Sequence, residues 1–174
     1  MNEVIKSLME RRSIRKFQPE MPPKEMIEQI VEAGLYAPSG MGRQSSMILA
    51  VTDKKLRDQL SDMNRRIMGR PEGVDPFYGA PAVLVVLADK SVPTYLYDGS
   101  LTMGNLLNAA HALGLGSIWI HRAKQEFETE EMKELLKKLG VSGEWEGIGH
   151  CAIGYIDGEI PEPALRREGR VSYI

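Results

Sequence analysis

Ala82-Val-Leu-Val-Val-Leu-Ala88 is the stretch on which the fold turns. Seven apolar residues in a row, without alternation, read as a strand buried on both faces. Their shortness and β-branched content favour strand over helix. Upstream, Met47 to Val51 is a short apolar strand candidate, and Asp53 can cap a helix running to about Arg66. Between them and the central strand, residues 67–80 hold three glycines and two prolines without periodicity, which predicts a long mobile loop. Downstream, residues 95–114 form the strongest helix of the chain. Leu96, Leu101, Met103, Leu106, Leu107, Ala110 and Leu113 make it apolar on more than one side, as suits a core helix or a subunit interface. Gly114-Leu-Gly116 ends it and leads into a strand, Ser117-Ile-Trp-Ile-His121. Residues 128–139 return to an amphipathic helix with Glu early and Lys late, and Ile148 to Ile156 is the last strand.

The N-terminal part adds two helices. Residues 3–10 carry Val4, Ile5, Leu8 and Met9 on one stripe. Pro19, Pro22 and Pro23 break the pattern, and Pro23 sits in the first turn of a second helix reaching about Tyr36, which buries Met26, Ile27, Ile30, Val31 and Leu35. The tail from Gly158 to Ile174 is rich in Pro and Arg and has too little core of its own. Roughly five helices and four strands, with helices between most strands, predict an α+β or α/β layered fold in a single domain over 1–174. The tail and the over-apolar long helix look unfinished in a monomer, and a homodimer is the simplest repair.

Bulk composition narrows the function. With 174 residues, 43% hydrophobic and 26% charged, the chain is an ordinary globular length and mixture. A formal net charge of −2 argues against broad adhesion to nucleic acid or anionic membrane. Cys151 is the only cysteine, so no internal disulfide or cysteine-based metal cage forms, and its apolar neighbours predict a buried, inert thiol. No apolar run approaches a membrane span, and residues 1–8 lack the apolar core of a signal peptide. The expected location is cytoplasmic.

Two segments carry chemistry. Glu10-Arg-Arg-Ser-Ile-Arg-Lys-Phe17 places four cations and a hydroxyl at the end of the first helix. Arg supplies donors in a fixed fork, which suits a phosphate, although a basic run at a helix end also suits the negative end of the dipole. Ala37-Pro-Ser-Gly-Met-Gly-Arg-Gln-Ser-Ser46 is a turn-rich loop. There Pro38 fixes a bend, Ser39, Gly40 and Gly42 allow close backbone approach, and Arg43 and Gln44 carry hydrogen-bonding groups. The amide of Gln44 suits a planar heterocycle with alternating N–H and C=O groups, against the plainer reading of a helix-to-strand turn.

Together, Arg-Arg-Ser-Ile-Arg-Lys-Phe at 11–17, Ala-Pro-Ser-Gly-Met-Gly-Arg-Gln at 37–44, and the helix closing in Ala-Leu-Gly-Leu-Gly-Ser-Ile-Trp-Ile resemble the FMN-dependent nitroreductase family. The resemblance covers nearly the whole chain. It implies a central, mostly antiparallel sheet flanked by helices, in an intertwined homodimer whose tail, 158–174, reaches the partner. It implies FMN as cofactor and NADH or NADPH as electron donor. Arg11 and Ser13 would hold the phosphate with help from Arg12, and Arg15 would lie near flavin N1 and O2, where a cation stabilises the reduced anion. Gln44 would pair with the pyrimidine edge, Gly40 and Gly42 would belong to the cofactor-binding loop, and Pro38 and Ser39 would pack on the flavin from the partner subunit. Ile120, His121 and Arg122 would offer backbone N–H groups toward N5 and O4. Arg167 would add a cation at the phosphate, with Arg166 and Arg170 as alternatives. Gly42 departs from the Asn usual in such loops, and Ser45 and Ser46 replace the usual Pro-aromatic pair.

The remaining candidates point elsewhere than to chemistry. His111, His121 and His150 lack ligand spacing, so no metal site is expected. Gly114-Leu-Gly116 opens a strand rather than a helix and lacks the third glycine of a dinucleotide fingerprint. Met63, Met68 and Met103 read as gap-fillers, Trp119 as core or as a ring beside the flavin, and Ser39 has no paired base for a hydrolase. The charges from Glu126 to Glu134 read as a solvated helix face. Met68, Phe77 and Tyr78 of the 67–80 loop are the candidate lid over the site.

Overall fold

Asp53 does cap a helix: its carboxylate accepts the N–H of Leu56 at 2.8 Å. Such local signals account for most element boundaries in the computed structural model, which describes residues 1–174. In chain order the elements are α1 (Glu3–Glu10), α2 (Lys24–Leu35), a 3-10 turn at Gly40–Gly42, β1 (Ser46–Val51), α3 (Lys54–Ile67), β2 (Ala82–Asp89), α4 (Tyr95–Ala112), β3 (Gly116–Ile120), α5 (Ala123–Phe127), α6 (Glu130–Lys138) and β4 (Trp145–Gly154). The strands form one antiparallel sheet in the order β1-β2-β4-β3.

β2 is buried along its apolar length, and its two faces serve different layers. Val83, Val85 and Leu87 pack with Leu60 and Met63 of α3, Phe127 of α5, and Met132 and Leu136 of α6. Leu84 and Val86 pack with Ile27 and Ile30 of α2 and with Met103, Leu106 and Ala110 of α4. The sheet is therefore the middle of three layers, and burial of a contiguous apolar strand holds them together. Cys151 lies wholly buried in β4, and burial pushes its thiol up to about 12.

One irregularity shapes the edge near the candidate site. Across β2 and β4 the register shifts between Val86 and Leu87, which face Gly149 and Gly147, so Ile148 is an extra residue in the β4 strand. Ile148 packs against Gly99 of α4, where a Cβ would come within 2.5 Å of it. A Cβ at Gly149 would strike the indole of Trp119, so the glycine lets that ring lie on the strand.

Several expectations are corrected. The helix expected over 128–139 is α6, capped by Thr129, which accepts the N–H of Met132, and a further short helix, α5, precedes it unpredicted. Glu126 then falls on α5 and is wholly buried rather than part of a solvated face. β4 begins at Trp145, ahead of the predicted start. Leu35, Leu96 and Leu101 are exposed, as is the whole stripe of α1. The 67–80 loop is anchored rather than mobile. Its Phe77 is fully buried in the core, and the Asp75 carboxylate accepts from the Ser61 hydroxyl and the N–H groups of Phe77 and Gly79, and pairs with Arg57. Phe77 cannot swing as a lid without opening the core.

Candidate functional site

The basic segment is held in place by its two apolar residues. Ile14 and Phe17 are buried, while Arg15 and Lys16 between them are exposed. Ile14 donates its N–H to Ser117 O at 3.1 Å, and Phe17 bridges to Ile156, so the segment runs along β3. Arg12 realises the capping reading: its Nη1 donates to Met9 O at 2.7 Å and to Arg11 O at 2.8 Å, closing the end of α1.

The anion reading also finds support in the same residues. Arg11 Nη1 and Arg12 Nε are buried and have no hydrogen-bond partner in the chain. A buried donor left unpaired costs about 1–3 kcal/mol, so two beside each other call for an acceptor from outside. Both residues, with Ser13, line a cavity of about 1040 Å³ that Leu8, Met9 and Leu165 complete. Arg166, not Arg167, reaches this cavity from the tail, its guanidinium donating to Ala164 O. His111 on α4 is held below its usual range by burial and by the nearby Arg11 charge, so the standing cations here are the guanidiniums.

Arg15 lines a different cavity of about 320 Å³, formed with Ile156, Asp157 and Glu159. The 37–46 loop lines a third, of about 110 Å³, through Pro38, Ser39 and Gln44. A fourth, of about 430 Å³, lies at the end of β3 and is lined by Trp119, His121, Arg122 and Ile148. One chain therefore brings the predicted residues into separate hollows with no lining residue in common.

The loop itself is rigidly built. Asp98 of α4 is buried and its carboxylate accepts from the Gly40 N–H at 2.9 Å, the Ser45 hydroxyl at 2.7 Å and the Thr94 hydroxyl at 3.0 Å. Ser39 accepts the N–H of Gln44 at 2.9 Å, and Gln44 and Gly42 both have positive φ. Gly40 packs so closely on Thr94 that a Cβ would overlap its side chain.

Burial works to raise the Asp98 carboxyl, but the bonds from Ser45, Gly40 and Thr94 outweigh it and hold the group below its ordinary value of 3.8. A depressed carboxyl contributes stability above the ordinary value, and that contribution is lost as pH falls through the folded value. Asp98→Asn is therefore expected to cost roughly 1 kcal/mol at neutral pH and less on acidification below about pH 4. Urea unfolding at pH 7 and pH 3 measures it. An equal cost at both values would remove the linkage.

At the end of β3, Ile120 points into the core, leaving only its backbone for the site. The N–H groups of His121 and Arg122 find no acceptor in the chain. Arg122 adopts a left-handed backbone, φ 81°, which a non-glycine residue keeps only when its surroundings enforce it. Its Nε donates to Asn64 Oδ1 at 2.8 Å. Trp119, half-buried, stacks on His121 with ring centroids 5.7 Å apart, and its Nε1 has no partner. Trp119 thus packs on the core with one part and walls the cavity with another. Asp98, Asn64 and Glu126 are contributors that sequence reasoning missed.

No cluster of His, Cys, Asp or Glu is arranged to hold a metal ion, and no helix is long and apolar enough to cross a membrane. The unpaired guanidinium nitrogens fit a phosphate-bearing ligand, and the free N–H groups and indole of the β3 cavity fit a flat, acceptor-edged ring.

Comparison with known proteins gives the family and the fold. A family model described as "Nitroreductase family" matches residues 8–155. A relative from Archaeoglobus fulgidus, bearing an NADH dehydrogenase/NAD(P)H nitroreductase name, is 31% identical over 160 residues, covering 89% of this chain and 86% of its own. An iodotyrosine deiodinase from Thermotoga neapolitana is 29% identical over 170 residues, covering 87% and 88%. A crystal structure of a nitroreductase with bound FMN from Bacteroides fragilis superimposes with a TM-score of 0.90 at 26% identity over 100% of both chains.

Proposed function

As the chain belongs to the nitroreductase family, we propose that it is a homodimeric, FMN-dependent oxidoreductase. In this reading NADH or NADPH reduces it, and nitroaromatics, quinones or similar flat acceptors reoxidise it in a ping-pong cycle. The observation that carries the proposal is the pair of buried, unpartnered donors, Arg11 Nη1 and Arg12 Nε, in the cavity they share with Ser13. When bound, FMN supplies the two-electron carrier that the side chains lack.

The chain's own residues then have defined tasks. Arg11, Arg12 and Ser13 hold the phosphate, and a tail cation, Arg166, adds to them. Arg15, exposed in a hollow of its own, supplies positive charge to the N1 and O2 edge. His121 and Arg122 donate backbone N–H groups to the N5 and O4 edge. Pro38, Ser39, Gly40, Gly42 and Gln44 come from the second copy, which explains why one chain leaves them in a hollow apart. The exposed stripe of α1, the exposed Leu96 and Leu101 of α4 and the tail 158–174 form the surface that the second copy covers. The near-neutral charge gives nucleic acid no foothold, and the single buried thiol suits the cytoplasm.

The as-isolated protein is expected to be yellow with a flavin spectrum, and mixing with NADH or NADPH in a stopped-flow instrument should bleach it. A colourless protein that takes up no added FMN would end the proposal. The iodotyrosine deiodinase relative favours one second reading: a flavin-binding or dehalogenating protein that does not turn over nicotinamide. A flavin spectrum that neither nucleotide bleaches, but dithionite does, would select it.

Gly42 offers a graded test. Its φ is +67°, a region that Asn tolerates better than most residues, and nothing lies within 4 Å of the position a Cβ would take. Gly42→Asn is expected to tighten FMN binding by about 1 kcal/mol through one added hydrogen bond, read by fluorescence titration of the apoprotein. Weaker binding would mean that the exposed loop does not meet the ring.

A further inference from the structure

Behind the β3 cavity lies a run of polar groups that neither the fold nor the phosphate cavity requires. Glu126 and His150 are both fully buried, and His150 Nε2 lies 2.8 Å from Glu126 Oε2. The other ring nitrogen faces Ile120 O at 3.3 Å. Glu126 Oε1 accepts from Asn64 Nδ2 at 2.6 Å, and the same amide nitrogen donates to His121 O at 2.9 Å. Two acceptors on one side fix the amide's orientation, so Asn64 Oδ1 must face the Arg122 guanidinium, as it does.

A buried carboxylate is expensive. An apolar residue at position 126 would commonly stabilise such a core as well or better, so the cost points to specificity of geometry. The end served by the run carries one of the chain's left-handed non-glycine residues, Arg122, preceded by a residue whose carbonyl Asn64 holds. Three successive residues are gripped by the run: Ile120 by His150, and His121 and Arg122 by the two ends of the Asn64 amide.

We infer that Asn64, backed by Glu126 and His150, is a positioning residue that clamps residues 120–122 so that the free N–H groups of His121 and Arg122 point together into the β3 cavity. Asn64 touches no ligand itself. It acts through the His121 carbonyl and the Arg122 guanidinium, while Glu126 and His150 hold Asn64 from behind. Its use for a flavin ring rests on the function proposed above, but the clamp does not.

The test has a flavin-free arm and a flavin arm. Asn64→Leu keeps the side-chain size and removes all three bonds. Arg122→Met removes only the outer one and leaves the buried part intact. In the ligand-free protein, 15N relaxation should report order parameters near about 0.85 for the His121 and Arg122 amides in the parent. Both should fall toward about 0.6 in Asn64→Leu, and only that of Arg122 in Arg122→Met. If the relaxation of Asn64→Leu cannot be measured because it does not fold, Arg122→Met decides: an unchanged Arg122 amide overturns the inference.

In the flavin arm, Asn64→Leu should weaken FMN and riboflavin alike by about tenfold, the scale of one net hydrogen bond, because riboflavin lacks the phosphate and reads the ring contacts alone. Loss confined to FMN would place the effect at the phosphate and overturn the inference. A parent that binds neither flavin, with order parameters that still fall, would refute the flavin reading and leave the clamp standing.

Discussion

Arg11→Ala is expected to weaken FMN binding by about 1.5–3 kcal/mol, roughly tenfold to somewhat over a hundredfold, the scale of a charge-assisted hydrogen bond. The lower bound follows from losing one net bond to a charged group. The upper bound applies because Arg11 Nη1 is already out of water and unpartnered, so the ligand gains the interaction without a fresh desolvation cost on the protein side. Riboflavin affinity should not change, since the contact is with phosphate. Fold stability should hold or rise slightly, because the substitution removes an unsatisfied buried donor from the free protein. Titration of apoprotein with both ligands measures the contrast, and an unchanged FMN affinity would take Arg11 out of the site. Arg12→Ala is a different experiment, since its Nη1 also closes α1 through Met9 and Arg11 carbonyls.

Phe77→Ala should be the most destabilising of the substitutions considered, at about 3–5 kcal/mol, the range for truncating a buried aromatic. Phe77 is wholly inaccessible, packs with the core between the sheet and α3, and lies against the His150 ring at a centroid distance of 5.1 Å. The Arg57 guanidinium stands over the Phe77 ring, 5.4 Å from its centroid. Denaturant unfolding would show the loss directly. A lid residue would behave in the opposite way, leaving stability unchanged and altering turnover. Stability within about 0.5 kcal/mol of the parent would restore the lid and discredit the packing described.

These two residues illustrate what a single sequence reveals. β2 was legible because seven apolar residues without alternation admit few other readings, and α4 because its apolar positions recur at helical spacing. The antiparallel order of the strands came from the family resemblance and not from any pattern in the strands. Phe77 was hidden because its loop has no period. What orders that loop is one carboxylate, Asp75, gathering donors from three places, and such convergence has no local signature.

Glu126 was lost to averaging over a charged stretch. A sharper reading was available: Thr129 followed by two glutamates marks a helix start, which puts Glu126 before the solvated helix. Asn64 carried a signal as well. It follows Arg57, Leu60 and Ser61 at spacings of seven, four and three, on the face of α3 that the core covers. A polar residue on a buried stripe must find partners, and it finds them on α5 and at the end of β3. Of the proposed site, the cationic run was visible because four cations in one short stretch exceed what a helix end needs. The division of the remaining residues among separate hollows was not, because it depends on long-range packing that no local pattern records.

The sulfur of Cys151 gives the protein a built-in clock. Being the sole thiol, enclosed in β4 and reluctant to ionise, it meets an alkylating reagent only when the central sheet comes apart. The pace of its labelling in an otherwise native solution therefore counts opening events of the whole molecule, with no engineered probe and no competing site.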